Sequence, residues 1–180
     1  MALPKTLKTV VIVILVEIVV LAAGCLIVMY AGLYNVAATK PHLSITHWVF
    51  TTTMDKSVRH HASSIPVSDV YKTPDLAEGC EHYREMCGGC HGAPGVERSE
   101  IGAGMNPPPE DLAEAAEDWT PSEVFWIIKN GVKMTGMPGF GPTHDDKKLW
   151  NITAFVKRLP GMTAQQYQDF GKTPETGAHP

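Results

Sequence analysis

Five consecutive residues, Cys87-Gly88-Gly89-Cys90-His91, restrict this chain more than any other stretch. Two thiols flank two residues and an imidazole follows at once, which is the attachment pattern of a c-type haem. The thiols add across the porphyrin vinyl groups and the imidazole binds the iron as proximal ligand. Gly88 and Gly89 carry no side chains to crowd the porphyrin face. A bare Cys-x-x-Cys also occurs in zinc half-sites and thioredoxin-like redox pairs. The immediate His91 argues against the redox pair, and no second Cys-x-x-Cys or His pair at zinc spacing follows.

Charge divides the 180 residues unevenly. Residues 1–68 hold five Lys/Arg and two Asp/Glu, so +3; residues 69–180 hold ten against seventeen, so −7; together they give the formal net charge of −4. The acidic half carries the haem motif. That argues against nucleic acid as a partner and for basic or neutral protein surfaces. The haem consumes two of the four cysteines; Cys25 and Cys80 remain, and no disulfide framework is expected.

The amino end reads as a membrane anchor. Val10 to Ala31 is 22 residues of almost wholly apolar sequence, where about 20 span a bilayer core. Lys5 and Lys8 precede it and no basic residue follows before Lys40. The positive-inside bias therefore predicts a single-pass anchor with the amino end in the cytoplasm and the remaining chain outside. The stretch is too long for the apolar core of a cleaved signal. A lipoprotein-like Leu21-Ala-Ala-Gly-Cys25 is followed by further apolar sequence, which does not suit cleavage there. Glu17 lies inside the span, where an ionisable group costs about 2.5–3.5 kcal/mol on insertion scales. It is either a contact to another membrane helix or a protonated side chain that the apolar run tolerates.

Four segments are expected: 1–34 as cytoplasmic terminus and anchor, 35–71 as periplasmic connector, 72–162 as haem domain and 163–180 as a C-terminal tail. In the connector, Trp48 and Phe50 suit the headgroup level, and Lys56, Arg59, His60 and His61 suit lipid phosphates, predicting a short interfacial helix. Packing of that helix on protein is the competing reading. His42, His47, His60 and His61 lack the i, i+4 spacing of a helical metal site.

The haem domain reads as all-α. Pro74 and Asp75 open a helix that runs into the haem motif, with Gly79 and Tyr83 on one face. Thr120-Pro121-Ser122-Glu123 combines an N-cap, a proline at the first helical position and a capping-box Glu, and Asn130-Gly131 ends that helix. A third helix starts near Thr143 or His144 and ends before Pro160, with Leu149, Trp150, Ile152, Phe155 and Val156 at helical spacing. Between these helices, Lys133 to Phe140 places Met137 in a Gly/Pro loop. Met137 is the expected sixth iron ligand, and its thioether raises the reduction potential relative to bis-His ligation. Met134 is the rival thioether, and His82 or His144 would give bis-His.

With these residues in view, about half of the chain resembles a class I cytochrome c, the family of mitochondrial-type and small bacterial carriers. The likeness rests on Cys87-Gly-Gly-Cys90-His91, on Gly136-Met137-Pro138 downstream, and on the helix order. It implies three main helices around one covalently attached haem c, with His91 and Met137 on the iron. It further implies that Gly79 and Tyr83 cross the last helix near Phe155, that a carbonyl from Pro107–Pro109 accepts the His91 ring N–H, and that Trp126 edges the haem. The anchor and connector look similar to membrane-tethered bacterial versions. Cys80 departs from the family pattern; it is either a buried small residue or a site of intermolecular linkage.

The function this implies is single-electron transfer between respiratory or other redox partners, as a tethered carrier or as a subunit of a membrane complex. No substrate bond is made or broken by this chain alone, and no catalytic residue is expected. Two other classes stay open at this stage: a ligand-binding or enzymatic haem subunit with a labile sixth ligand, and a subunit that mainly promotes assembly of a membrane complex.

Overall fold

The computed structural model describes residues 4–170, which divide after Lys40 into two compact units. The first unit is one long helix, α1, Lys5–Tyr30, with no buried residue. At 1.5 Å per residue its 26 residues span about 39 Å, more than the ~30 Å hydrocarbon core of a bilayer. Its mean hydropathy reaches 3.2 over an 18-residue window, so it is long and apolar enough to cross a membrane.

The second unit is helical, and among the described residues it has no strand, only an isolated bridge between Ala93 and Val96. Its elements are α2 (Ser44–Ala62), α3 (Asp69–Lys72), α4 (Leu76–His82), α5 (Gly88–His91), α6 (Glu100–Ala103), α7 (Leu112–Ala115), α8 (Pro121–Asn130), α9 (Asp146–Val156) and α10 (Ala164–Asp169). A π-helical turn, Tyr83–Cys87, joins α4 to α5 without a break.

The core forms where α4 crosses α9. Gly79 permits the crossing, because a Cβ there would collide with the Asn151 carbonyl oxygen and lie 3.1 Å from the Phe155 Cβ. Tyr83, one turn on, is fully buried against Phe155 with ring centroids 5.5 Å apart. Asn151 is also fully buried and is fully used: its Oδ1 accepts from the Asp75 N–H at 3.1 Å and its Nδ2 donates to Glu78. A buried amide satisfied in this way escapes the cost of lost hydration.

Helix α8 has the capping box read from the sequence, with Thr120 and Glu123 exchanging backbone bonds. It packs on α9 through Phe125, stacked on Trp150 at 4.2 Å. The third helix starts slightly later than expected. Asp145, not Thr143 or His144, caps α9 by accepting from the Lys148 N–H at 2.9 Å. Thr143 instead bonds back to the Phe140 carbonyl.

The packed unit reaches beyond residues 72–162 on both sides. The second half of α2 lies on α8, with Val58 and Ala62 buried. Arg59 donates to Asp55 and Glu123 and lies over the Trp119 ring, and His61 stacks on Trp126 at 5.7 Å. Arg59 and His61 thus face protein, which corrects the lipid-phosphate reading of these two side chains. Past Leu159, α10 folds back on the core, and its Tyr167 is buried beside Tyr83. The backbone carbonyl of Tyr167 accepts from Arg84, whose guanidinium also lies over the Tyr167 ring.

Candidate haem site

The haem motif occupies the end of the helix that starts at α4. Cys87 closes the π-helical turn and is buried, while Cys90 and His91, both half-buried, lie on α5. Burial pushes the Cys87 thiol up to about 12, and the neighbouring Cys90 adds to the rise. Tyr83 holds the exit of the motif: its buried hydroxyl donates to the Gly92 carbonyl at 2.6 Å. Gly92 itself takes φ +71°, a turn that reverses the chain directly after His91.

The loop that follows wraps back over the motif. Ser99 donates twice to the Gly89 carbonyl, from its hydroxyl at 2.7 Å and from its N–H at 2.9 Å. Gly102 lies so close to Cys90 that a Cβ would be 2.8 Å from the Cys90 carbonyl oxygen. Further on, His91 Nδ1 is 2.7 Å from the Glu110 carbonyl oxygen. The proline run was expected to supply that acceptor, and it does not. Pro107–Pro109 delivers the chain, and the next residue, Glu110, turns its carbonyl to the imidazole before Asp111 caps α7. The bond makes Nδ1 the protonated nitrogen and leaves the Nε2 lone pair available to a metal.

Met137 lies in a loop clamped to the end of α8. Phe140 N–H donates to the Ile128 carbonyl at 3.0 Å, and Gly141 N–H to that of Lys129 at 2.9 Å. Gly131 takes φ +67°, and a Cβ on it would be 2.7 Å from the Met137 carbonyl oxygen. Thr135 Oγ1 accepts the Met137 N–H at 3.1 Å. The two thioethers differ sharply. Met137 is half-buried against the cluster that includes Cys87, whereas Met134 is 79 % exposed on a left-handed backbone, φ 64°. A third thioether, Met105, was not singled out in the sequence. Its Sδ fills the space beside Gly136, 2.9 Å from where a Cβ there would be. One loop therefore bonds the His91 imidazole through Glu110 and touches the methionine loop through Met105.

The two rival histidines pair with each other. The His82 and His144 rings meet edge to face at 5.7 Å, and His144 also packs on Phe140 and bonds Thr143. Trp126, expected at the haem edge, stacks on His61 of α2. Cys80 is 1 % exposed in the core, which makes it a buried small residue, and burial raises its thiol above the ordinary value. Cys25 and Glu17 lie on the exposed surface of α1. Among the described residues, no group of three or more His, Cys, Asp or Glu is arranged to hold a metal ion. The donor set suits a covalently held haem instead: two thiols three residues apart, an imidazole with one nitrogen already engaged, and glycines between the thiols.

Residues 74–156 match the family model described as cytochrome c oxidase, cbb3-type, subunit III. These residues are a class I c-type cytochrome domain. The matched segment runs from just before α4 to the last residue of α9, so it contains the crossing, the haem motif and the methionine loop. The cytochrome domain binds haem c, covalently attached, and its role is haem-based electron transfer. The comparison with curated proteins finds no match.

Proposed function

We propose that the chain is a membrane-anchored monohaem cytochrome c that passes single electrons between redox partners at the outer face of the bacterial inner membrane. It acts there as a tethered carrier or as the electron-transfer subunit of a larger complex. The observation that carries the reading is the pair of donors at the site. The Glu110 carbonyl fixes His91 with Nε2 free, and Met137 is turned inward in a loop clamped to α8. Haem c supplies a one-electron iron couple. Cys87 and Cys90 would hold it by thioether links, and His91 Nε2 and Met137 Sδ would ligate its iron. Two protein ligands leave no open position for a substrate or oxygen, so the chain has no catalytic residue of its own.

Two features support the membrane reading: the length and apolarity of α1, and the basic residues that precede it. The matched family is described as an oxidase subunit, which supports membership of a respiratory assembly. A tether raises the effective concentration of the haem domain at neighbouring membrane complexes. The acidic haem half favours basic or neutral docking surfaces and disfavours nucleic acid.

The test is an optical spectrum of the full haem-loaded chain in detergent, with membranes extracted at alkaline pH in parallel. The expected results are a weak near-infrared Met–iron band that is lost in Met137→Ala and kept in Met134→Ala, and a chain that stays in the alkaline pellet. A high-spin ferric iron that takes up carbon monoxide would transfer the reading to ligand binding or catalysis.

A further inference from the structure

We propose that the N-terminal half of α2, together with Leu43 before it, is embedded in the membrane–water interface. Its occupant is phospholipid, and through it the haem domain holds a set orientation on the bilayer. The inference rests on the reading of α1 as an anchor and goes beyond it.

Exposure of large apolar side chains is concentrated in one place. From Pro41 on, nine such side chains are exposed among the described residues, and five of them fall within residues 43–50: Leu43, Ile45, Trp48, Val49 and Phe50. The other four are scattered singly, which is ordinary for a protein surface, whereas a cluster marks an interaction site.

The charge of α2 changes along the helix axis. From Ser44 to Met54 there is no charged residue; charge begins at Asp55 and Lys56 and continues at Arg59. The charged half is the one that packs on α8 through Val58, Ala62 and Arg59. In the uncharged half, Ile45, Trp48 and Val49 share one side, while Phe50 lies roughly 140° round from Ile45 at 100° per residue. A groove on a partner protein takes one stripe of a helix. An apolar phase takes the tip from every side, and tryptophan and phenylalanine suit its boundary.

Chain length supplies the last argument. Residues 31–43, thirteen in all, join α1 to α2, so α2 begins within reach of the surface from which α1 emerges. Because α2 is one 19-residue helix without a break, seating its first half in lipid and its second half on α8 leaves the haem domain little freedom to tumble on its tether.

The test places the photoreactive residue p-benzoylphenylalanine at position 48, and in a second protein at Lys56, in the full haem-loaded chain in native membranes. After irradiation the adducts are identified by mass. A phospholipid adduct at position 48 and none above background at Lys56 is the expected result. A protein adduct at position 48, to a second copy or to another subunit, overturns the proposal, as does lipid labelling that is equal or absent at both positions. Alkaline extraction of the same membranes separates the two readings. A chain that stays in the pellet with no lipid adduct at position 48 refutes the seat of α2 alone, and a chain that washes out refutes the anchor.

Discussion

Replacing Gly79 with alanine pits helix propensity against packing, and the two effects have opposite signs. Within a helix, alanine is favoured over glycine by about 1 kcal/mol. At the α4–α9 crossing, the new methyl would collide with the Asn151 carbonyl oxygen, lie 2.8 Å from its carbon and press on the Phe155 Cβ at 3.1 Å. These obstacles are backbone or the root of a side chain, so no rotamer change relieves them. Overpacking of this kind costs about 1–3 kcal/mol. Moving Asn151 aside also strains its bonds to Asp75 and Glu78, each worth about 1 kcal/mol. The balance is a net loss of about 2 kcal/mol, which at about 4–8 °C per kcal/mol for a domain of ~100 residues lowers the melting midpoint by roughly 10 °C. Thermal unfolding of the haem-loaded chain in detergent, followed at the Soret band and by circular dichroism, measures it. An equal or higher midpoint in Gly79→Ala would refute the argument, because propensity alone predicts that sign.

Three further outcomes follow from named contacts. Arg59→Ala removes a partly exposed ion pair with Glu123 and the contact over Trp119; the expected cost is about 1 kcal/mol, seen as faster hydrogen exchange in α2 with the Soret band unchanged. Burial raises the Tyr83 hydroxyl above its ordinary value of 10.0, so the folded state keeps a proton that the unfolded state gives up, and stability falls as pH rises past that value by up to about 1.4 kcal/mol per pH unit. Urea midpoints across alkaline pH measure this. Tyr83→Phe should be weaker at neutral pH, having lost the bond to Gly92, yet show a shallower alkaline decline, and an unchanged slope would remove Tyr83 as the cause. Met105→Ala takes away the packing beside Gly136; the ferric Met–iron band expected of the proposed Met137 ligation should then weaken, while Met105→Leu restores it. An unchanged band in Met105→Ala would show that Met105 does not hold the loop.

What was legible in the sequence was the chemistry that acts over a few residues. Thr120 and Glu123 sit three apart and cap α8 as such pairs do, and Gly79 and Tyr83 sit four apart on the face that meets Phe155. The same local rule was available and unused at Thr163-Ala-Gln-Gln166, a capping box that starts α10 within the expected C-terminal tail. What escaped was set by closure over long distances. Which carbonyl reaches His91 depends on how residues 92–110 return to the motif, and three prolines in a row do not encode that it is the next residue's. Besides Val58 and Ala62, the contact of α2 with α8 and the segment before it is made by Arg59, His61, Trp119 and Trp126, side chains without a periodic apolar signal. The π-helical turn before the haem motif has no sequence mark that we can name.

On the proposed ligation by His91 and Met137, an electron carrier would need the loop between these two donors as much as the donors themselves. A thioether is a weak donor, and a one-electron couple is useful only if the coordination shell is the same before and after transfer. Each of the two proposed donors is held by protein bonds alone. His91 is held by the Glu110 carbonyl, and the Met137 loop by backbone bonds from Phe140 and Gly141 to the last turn of α8. Residues 99–110 then connect the two holds, bonding Gly89 through Ser99, pressing Cys90 through Gly102 and touching the methionine loop through Met105. These bonds would hold both donors in place if a bound iron changed charge. The proposed seat of α2 in the membrane would add to this. A site that does not adapt to its partners has to be presented to them in the right orientation, and a helix fixed to α8 at one end can set that orientation where a flexible tether cannot.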